Sequence, residues 1–504
     1  MRLPRESENR LARRLLMVVG LAYLAAQLLA FSIERPPSWD EAIYLSQVTP
    51  GAEPLPFVPS RARGITFLAF PILQFGGSLL QLRLFLAAAS AAALVWAFRL
   101  WIPVIGIGAV AAALLFAGAW PALFYGSELM PNPWMALIGV AATAVLARRL
   151  AIHEGRSDEL IAGGLVAVAA LIRPLDAVVL TAALVLLPIA IRRATVSWSV
   201  HLVLGLVAGW VPWLVEMTAR FGSPWEAFSA AARLGHTGRW SFFENARQYL
   251  ALSDGPSIGP VAEPDVPVSG ILWLIGFAAL VVLGVRVSDR RGLLPSLVVP
   301  VASGMALAAE YVVLTDAQAP RFLLPALALL TVPAGLGLVA IVTGTRRGGA
   351  PVLSIAAAVA AILVISWVAV QLGIASRVEA GASRQRASAQ RAGREVRVLA
   401  AGDPCQVYSE GSFPIVGFTA GCRAAPLGKV LERWKDRSDR FDGIRIFLVL
   451  HRTEAIAPPD STALLGEVPS EGELTWFVYG GDRSSHLSSR ALLAILVLRG
   501  GAVR

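Results

Sequence analysis

LLMVVGLAYLAAQLLAFSIERPPSWDEAIYL, Leu15 to Leu45, sets an apolar run of about 19 residues against a turn that carries two adjacent acids, Asp40 and Glu41. A membrane-crossing helix needs about 20 predominantly apolar residues, so Leu15–Ile33 reads as a span with the acids at its mouth. The basic segment before it, MRLPRESENRLARR, resembles the start of a secretory leader. The apolar run is longer than a signal core, and it reads as a retained anchor. Taken alone, Trp39 and two carboxylates at a membrane surface suit interfacial residues as well as chemistry.

The rest of the chain extends the membrane reading. Of 504 residues, 56% are apolar and 15% charged, and the mean hydropathy is +0.64, the composition of an integral membrane protein. Apolar runs recur at 15–33, 79–98, 102–124, 131–147, 160–172, 175–191, 200–217, 269–287, 293–314, 322–342 and 352–374. They predict an all-α polytopic bundle of about eleven transmembrane helices, because lipid offers backbone groups no other partner. The net charge of +10 does not indicate nucleic acid, since the arginines stand in short loops between apolar runs. With the N-terminus (1–14) in the cytoplasm, Arg99, Arg148–Arg149, Arg192–Arg193, Arg286 with Arg290–Arg291, and Arg346–Arg347 all fall on the cytoplasmic side. An odd number of spans then puts residues from 375 onward outside the cell membrane.

The stretch 160–191 is too long for one span and short for two, yet arginines on both flanks require two crossings. The break is expected at LIRPLD, where Pro174 disfavours helix at Arg173 and restarts it afterwards. Arg173 then sits below the membrane surface. Two partners suit it there, a phosphate or the nearby Asp176. Two long outer loops, 34–78 and 218–268, flank this bundle. GITFLAFPILQFGG in the first is apolar but interrupted by Pro71, as in a helix lying in the interface. Gly205 and Gly209 form a small-residue packing face.

After the transmembrane domain (15–374), residues 375–480 change composition. SRVEAGASRQRASAQRAGREVRVLA reads as a solvated helix, and CQVYSEG, GIRIFLVLH and LTWFVYG as short strands of a small extracytoplasmic α/β domain. Cys405 and Cys422, the only cysteines, are expected to pair outside the cytoplasm. Their bond would close about 17 residues and add on the order of 3 kcal/mol. The tail 481–504, with ALLAILVLR, is too short to span.

The outer side collects Asp40 and Glu41, Glu128 in LFYGSELMPNPW, and Arg321 in DAQAPRFLLPAL, with Arg61 and Arg63 in the first loop. Acids beside arginines suit a reaction in which a hydroxyl attacks and an anionic group leaves. The carboxylate takes the proton, and guanidinium groups bind the departing phosphate. Each residue has a plainer alternative: Glu128 as a helix cap, Arg321 as an interfacial anchor. Glu310, an acid inside a span, and Glu216, near the end of another, are candidate acceptor contacts or structural partners. The five histidines are scattered, and Asp40 with Glu128 could hold a hard divalent cation.

These motifs together resemble the GT-C membrane glycosyltransferases, and within them the protein O-mannosyltransferases and aminoarabinose transferases. The likeness covers roughly residues 15–345: the acid pair, the acid before Met130-Pro131-Asn132, the Arg173-Pro174 break and the RFLLPAL segment. It implies a helical bundle with outer-loop helices and a soluble outer domain. It also implies an inverting transfer of sugar from a polyprenyl phosphate to a lipid, glycan or protein acceptor. By the resemblance Asp40 is the catalytic base, Glu41 its neighbour, Glu128 the second-loop acid and Arg321 the lipid-phosphate arginine. Arg61, Arg63 and Arg173 are candidates for the remaining phosphate contacts. The chain departs from the pattern in carrying Phe322 where Tyr is common, and in lacking a basic residue directly after the acid pair. Two rival readings are a transporter or lipid flippase and a membrane-anchored scaffold. The first predicts inverted repeats, which the sequence does not display; the second predicts dispensable loop acids.

Overall fold

A computed structural model describes residues 6–480 apart from 153–156, 194, 234–241, 256, 261–262, 316, 345–349, 410, 428–444, 453–462 and 470–474. Arg156, Arg346, Arg347 and the tail 481–504 lie outside these described residues. The chain divides into two compact units. One comprises Met1–Ile33, Val58–Leu68 and Leu79–Glu379, and the other Glu34–Phe57, Ala69–Ser78 and Ala380–Arg504.

The helices, in chain order, are α1 (Glu6–Ala30), α2 (Trp39–Ser46), α3 (Thr66–Gln74), α4 (Leu79–Arg99), α5 (Ile102–Ile105), α6 (Gly108–Ala117), α7 (Trp120–Tyr125), α8 (Pro131–Ile152), α9 (Ser157–Ile172) and α10 (Pro174–Ala190). They continue with α11 (Val196–Phe221), α12 (Pro224–Arg233), α13 (Phe242–Ala251), α14 (Val268–Arg290), α15 (Leu294–Val313), α16 (Leu324–Gly344) and α17 (Ala350–Ala400). Among the described residues, eight helices are long and apolar enough to cross a membrane. The protein is a multi-pass membrane protein.

Among the described residues, the regular structure of the first unit is all helical. The apolar run 102–124, expected as one helix, is three: α5 ends at Gly106, whose φ of 58° breaks the helical path, and α7 restarts with Pro121 in its first turn. The break at LIRPLD is present. Arg173 separates α9 from α10 with φ −143° and ψ 85°, and Pro174 opens α10 where its missing N–H has no partner to lose. The α9–α11 crossing is backbone against backbone. A Cβ at Gly205 would lie 2.1 Å from the Gly163 carbonyl oxygen, and one at Gly209 2.2 Å from that of Ala167. The packing face read from those glycines is therefore real. A core of Met135, Leu146, Val166, Leu180, Trp198 and Val299 joins α8, α9, α10, α11 and α15. The other face of α11 exposes Val203, Val207, Val211 and Val215. In water such a stripe would be a liability; in lipid it is the surface a span needs.

The second unit is built on a five-stranded sheet of β1 (Cys405–Ser409), β2 (Arg423–Pro426), β3 (Arg445–Arg452), β4 (Ala463–Pro469) and β5 (Thr475–Gly480), in the order β2-β1-β3-β5-β4. β1 pairs parallel with β2 and β3, whereas β5 pairs antiparallel with β3 and β4. The three strands expected from sequence are β1, β3 and β5; β2 and β4 are additional. Helix α18 (Phe413–Ala420) links β1 to β2, and Cys405 is bonded to Cys422 across that link.

Part of the first loop folds into this unit. Trp39 donates its indole N–H to the Gly411 carbonyl at 3.0 Å and meets the Phe413 ring edge-on at 5.6 Å. Arg423 pairs with Glu53 at 3.2 Å, and Gln74 donates to the Val48 carbonyl at 3.0 Å. The solvated segment after residue 377 is not a separate helix; it continues the last apolar run as the 51-residue α17.

Candidate active site

The polar heart of the first unit forms where α9 gives way to α10. Arg173 Nε lies 2.7 Å from Asp176 Oδ2, one turn into α10. The Tyr311 hydroxyl of α15 donates to Asp176 Oδ1 at 2.6 Å, and Arg173 Nη2 donates to that hydroxyl. Asp176, one of the two partners expected for Arg173, is thus bonded to it. Glu310, beside Tyr311, is within electrostatic reach of both Arg173 and Asp176, and its Oε2 has no hydrogen-bond partner among the described residues.

Arg321 stands on the short turn Pro320–Leu323 between α15 and α16. That turn is fixed by α13. Asn245 donates its amide to the Val312 carbonyl at 3.1 Å and the Thr315 carbonyl at 2.9 Å. Gln318 donates to the Asn245 amide oxygen at 2.5 Å. Burial pushes the Tyr249 phenol above the ordinary value while the Arg321 charge pulls it the other way.

The guanidinium of Arg321 lies over two rings, 4.9 Å from the centroid of Phe322 and 5.9 Å from that of Tyr125. Tyr125 ends α7, and the turn after it carries the fully buried Glu128. Arg83 donates to the Ser127 carbonyl in the same turn at 3.4 Å. The structure thus brings the Glu128 segment, Arg321, Arg173 and Glu310 together in one unit.

An apolar groove of about 650 Å³ runs between α14, α16 and α17, lined among others by Trp273, Gly276, Phe277, Leu327, Leu363 and Trp367. Trp273 and Phe277 stack at 5.2 Å.

No protein-family model matches the chain, and no curated protein matches it. Solved structures do. ArnT from Cupriavidus metallidurans bound to undecaprenyl phosphate superposes with a TM-score of 0.63 at 15% identity, over 93% of this chain and 98% of that one. Its apo state gives 0.58 at 14% identity with the same coverage. The Archaeoglobus fulgidus oligosaccharyltransferase, in complex with Zn and sulfate, gives 0.53 at 12% identity over 86% of this chain and 68% of its own. This chain has the ArnT fold.

It is the architecture expected from the ordered motifs, a helical bundle followed by a small α/β module. Within the ArnT fold the remaining candidates fall as follows. Arg63 pairs with Glu216 at 2.8 Å, and Arg220 pairs with the same carboxylate oxygen at 2.8 Å. A phosphate candidate and an acceptor candidate are therefore each other's partners, 153 residues apart in sequence. Arg61 gives its backbone carbonyl to the Trp213 indole at 3.2 Å.

Asp40 and Glu41 belong to the second unit, on α2. Glu41 is fully buried and completes a capping box with Ser38: its backbone N–H donates to the Ser38 hydroxyl at 3.3 Å, and its carboxylate accepts from the Ser38 N–H at 3.1 Å. Asp40 takes no part in that box. Among the described residues no three His, Cys, Asp or Glu side chains gather as a cation site.

Tyr311, Asn245, Tyr249 and Gln318 are absent from the sequence-based candidates. Tyr311 carries a readable signal, a polar pair with Glu310 near the end of an apolar run. The other three carry none, because an Asn, Tyr or Gln between apolar runs is ordinary until its partners are known.

Proposed function

We propose that the protein is a membrane glycosyltransferase that moves a sugar from a polyprenyl-phosphate donor to an acceptor on the outer face of the cell membrane, with inversion. The observation that carries this reading is the Arg321 turn: a cation fixed on two aromatic rings at the head of a span, in the fold of a protein solved with undecaprenyl phosphate. In the proposed step the acceptor hydroxyl oxygen bonds to the anomeric carbon as the bond from that carbon to the phosphate oxygen breaks. The electron pair leaves with polyprenyl phosphate, whose charge Arg321 meets. The hydroxyl proton passes to Asp40, the base by resemblance. Glu128 is the second acid of the site. The N-terminus is cytoplasmic and the α/β module lies outside.

The experiment is transfer by the purified protein in liposomes, from a radiolabelled polyprenyl-phosphate sugar to membrane or glycan acceptors. Release of polyprenyl phosphate with labelled acceptor supports the reading. A folded protein that leaves the donor intact, or merely exchanges it between leaflets, would favour the flippase alternative.

The groove between α14, α16 and α17 suits the polyprenyl chain, being apolar on all sides. A Cβ at Gly276 meets no atom within 4 Å, so a larger side chain is tolerated there and fills the groove. Gly276→Phe is expected to raise the KM for the lipid donor by about tenfold, the worth of one or two displaced methylenes, with kcat and thermal stability unchanged. Initial rates across donor concentration check it.

A further inference from the structure

The Arg173–Asp176–Tyr311 triad has no assigned task, and its arrangement supplies one. Tyr311 and Phe322 stack nearly parallel, with centroids 5.2 Å apart and an interplanar angle of 13°. Arg321 lies 4.9 Å over Phe322. On the other side, Tyr311 is held by both members of the ion pair, donating to Asp176 and accepting from Arg173. The Arg173 guanidinium also stands 5.5 Å from the Tyr311 ring and 5.8 Å from that of Phe322.

We propose that Tyr311, locked by Arg173 and Asp176, is a positioning residue that sets the guanidinium of Arg321 through the Phe322 ring. The proposal rests on the reading of Arg321 as the lipid-phosphate ligand. An arginine side chain loses rotamer entropy when it is held in place, so a phosphate site gains from a surface that holds the cation before ligand arrives. A lone Phe on a short turn between helices would be a soft shelf. Stacking it on a ring fixed by two charge-assisted hydrogen bonds makes it a stiff one.

The same geometry gives Arg173 a structural task. Its Nε and Nη2 are engaged, and diverting them would strand the Asp176 carboxylate, which is 1% exposed. Since Arg173 is the residue at the α9–α10 break, the Arg-Pro motif acts as a brace on α15.

The test compares donor and acceptor kinetics in the liposome assay for Tyr311→Leu, Tyr311→Trp and Arg321→Gln, with melting temperatures as folding controls. Tyr311→Leu is expected to raise the KM for the polyprenyl-phosphate donor about tenfold, the scale of a lost stacking contact, leaving the acceptor KM unchanged. Tyr311→Trp, which keeps a stacking face, should recover most of the difference. A merely structural Tyr311 would change both KM values, or neither. Should Tyr311→Leu fail to fold, Phe322→Leu at the half-buried turn carries the same expectation. Wild-type donor KM in folded Tyr311→Leu or Phe322→Leu, beside a loss in Arg321→Gln, overturns the positioning role alone. Wild-type donor KM in Arg321→Gln overturns the phosphate reading beneath it.

Discussion

Asp40→Asn is expected to lower sugar transfer by about 10²- to 10⁴-fold, the usual contribution of a positioned general base, with no loss of folded protein. Asparagine matches aspartate in shape but cannot accept the acceptor's proton. Helix α2 is capped by Ser38 and Glu41, whose reciprocal hydrogen bonds leave Asp40 outside the box. The adjacent carboxylate gives the contrast. Glu41→Ala removes half of the capping box and is expected to cost about 0.5–2 kcal/mol of stability, lowering yield and melting temperature before it touches the chemistry. Initial rates with labelled donor, beside thermal melts of both variants, separate these effects. Full transfer by folded Asp40→Asn would end the assignment of Asp40 as base.

Arg321→Gln is expected to lose about 10²- to 10³-fold in kcat/KM for the lipid donor, comparable to removing one preorganised donor from a developing anion. The turn that carries Arg321 is held through other groups: Asn245 on the Val312 and Thr315 carbonyls, Gln318 on Asn245, and the Phe322 N–H on the Ala319 carbonyl at 2.9 Å. The substitution therefore removes a charge without releasing the backbone. Arg321→Lys is expected to recover only part of the loss, since an ammonium keeps the charge but not the planar fork that holds a phosphate through two bonds. Thermal stabilisation of the purified protein by added polyprenyl phosphate supplies a second measurement. Wild-type protein should shift and Arg321→Gln should not.

Within the candidate site, the sequence singled out segments that share one unit, but not the relations between their side chains. Arg173, Glu310, Arg321 and the Glu128 turn stand together in the first unit, and each was legible because a charge inside or beside an apolar run is conspicuous. Their division of labour was not legible. Arg173 suited a phosphate or Asp176, and its bond to Tyr311, 138 residues away, is invisible in the sequence around it. Arg63 and Glu216 drew separate roles for the same reason. Nothing local to either residue indicates that they meet.

What the sequence determined by itself is whatever a short window of chain decides. Hydropathy over about 20 residues fixes which segments enter a bilayer. Proline fixes the break at Arg173–Pro174, and alternating apolar strands with two cysteines fix the α/β module. What only the tertiary structure decided is every relation between distant segments. Trp39, a plain interfacial residue by its neighbours, donates to the Gly411 carbonyl across 372 positions. The run 102–124 breaks into three helices although its apolar composition would support one. The Arg321 cation comes to rest on a ring stack assembled from α15 and the turn before α16. Burial and helix formation depend on composition that lies close along the chain. The direction in which a buried charge spends its hydrogen bonds depends on which helices pack, and packing is decided only when the whole bundle closes.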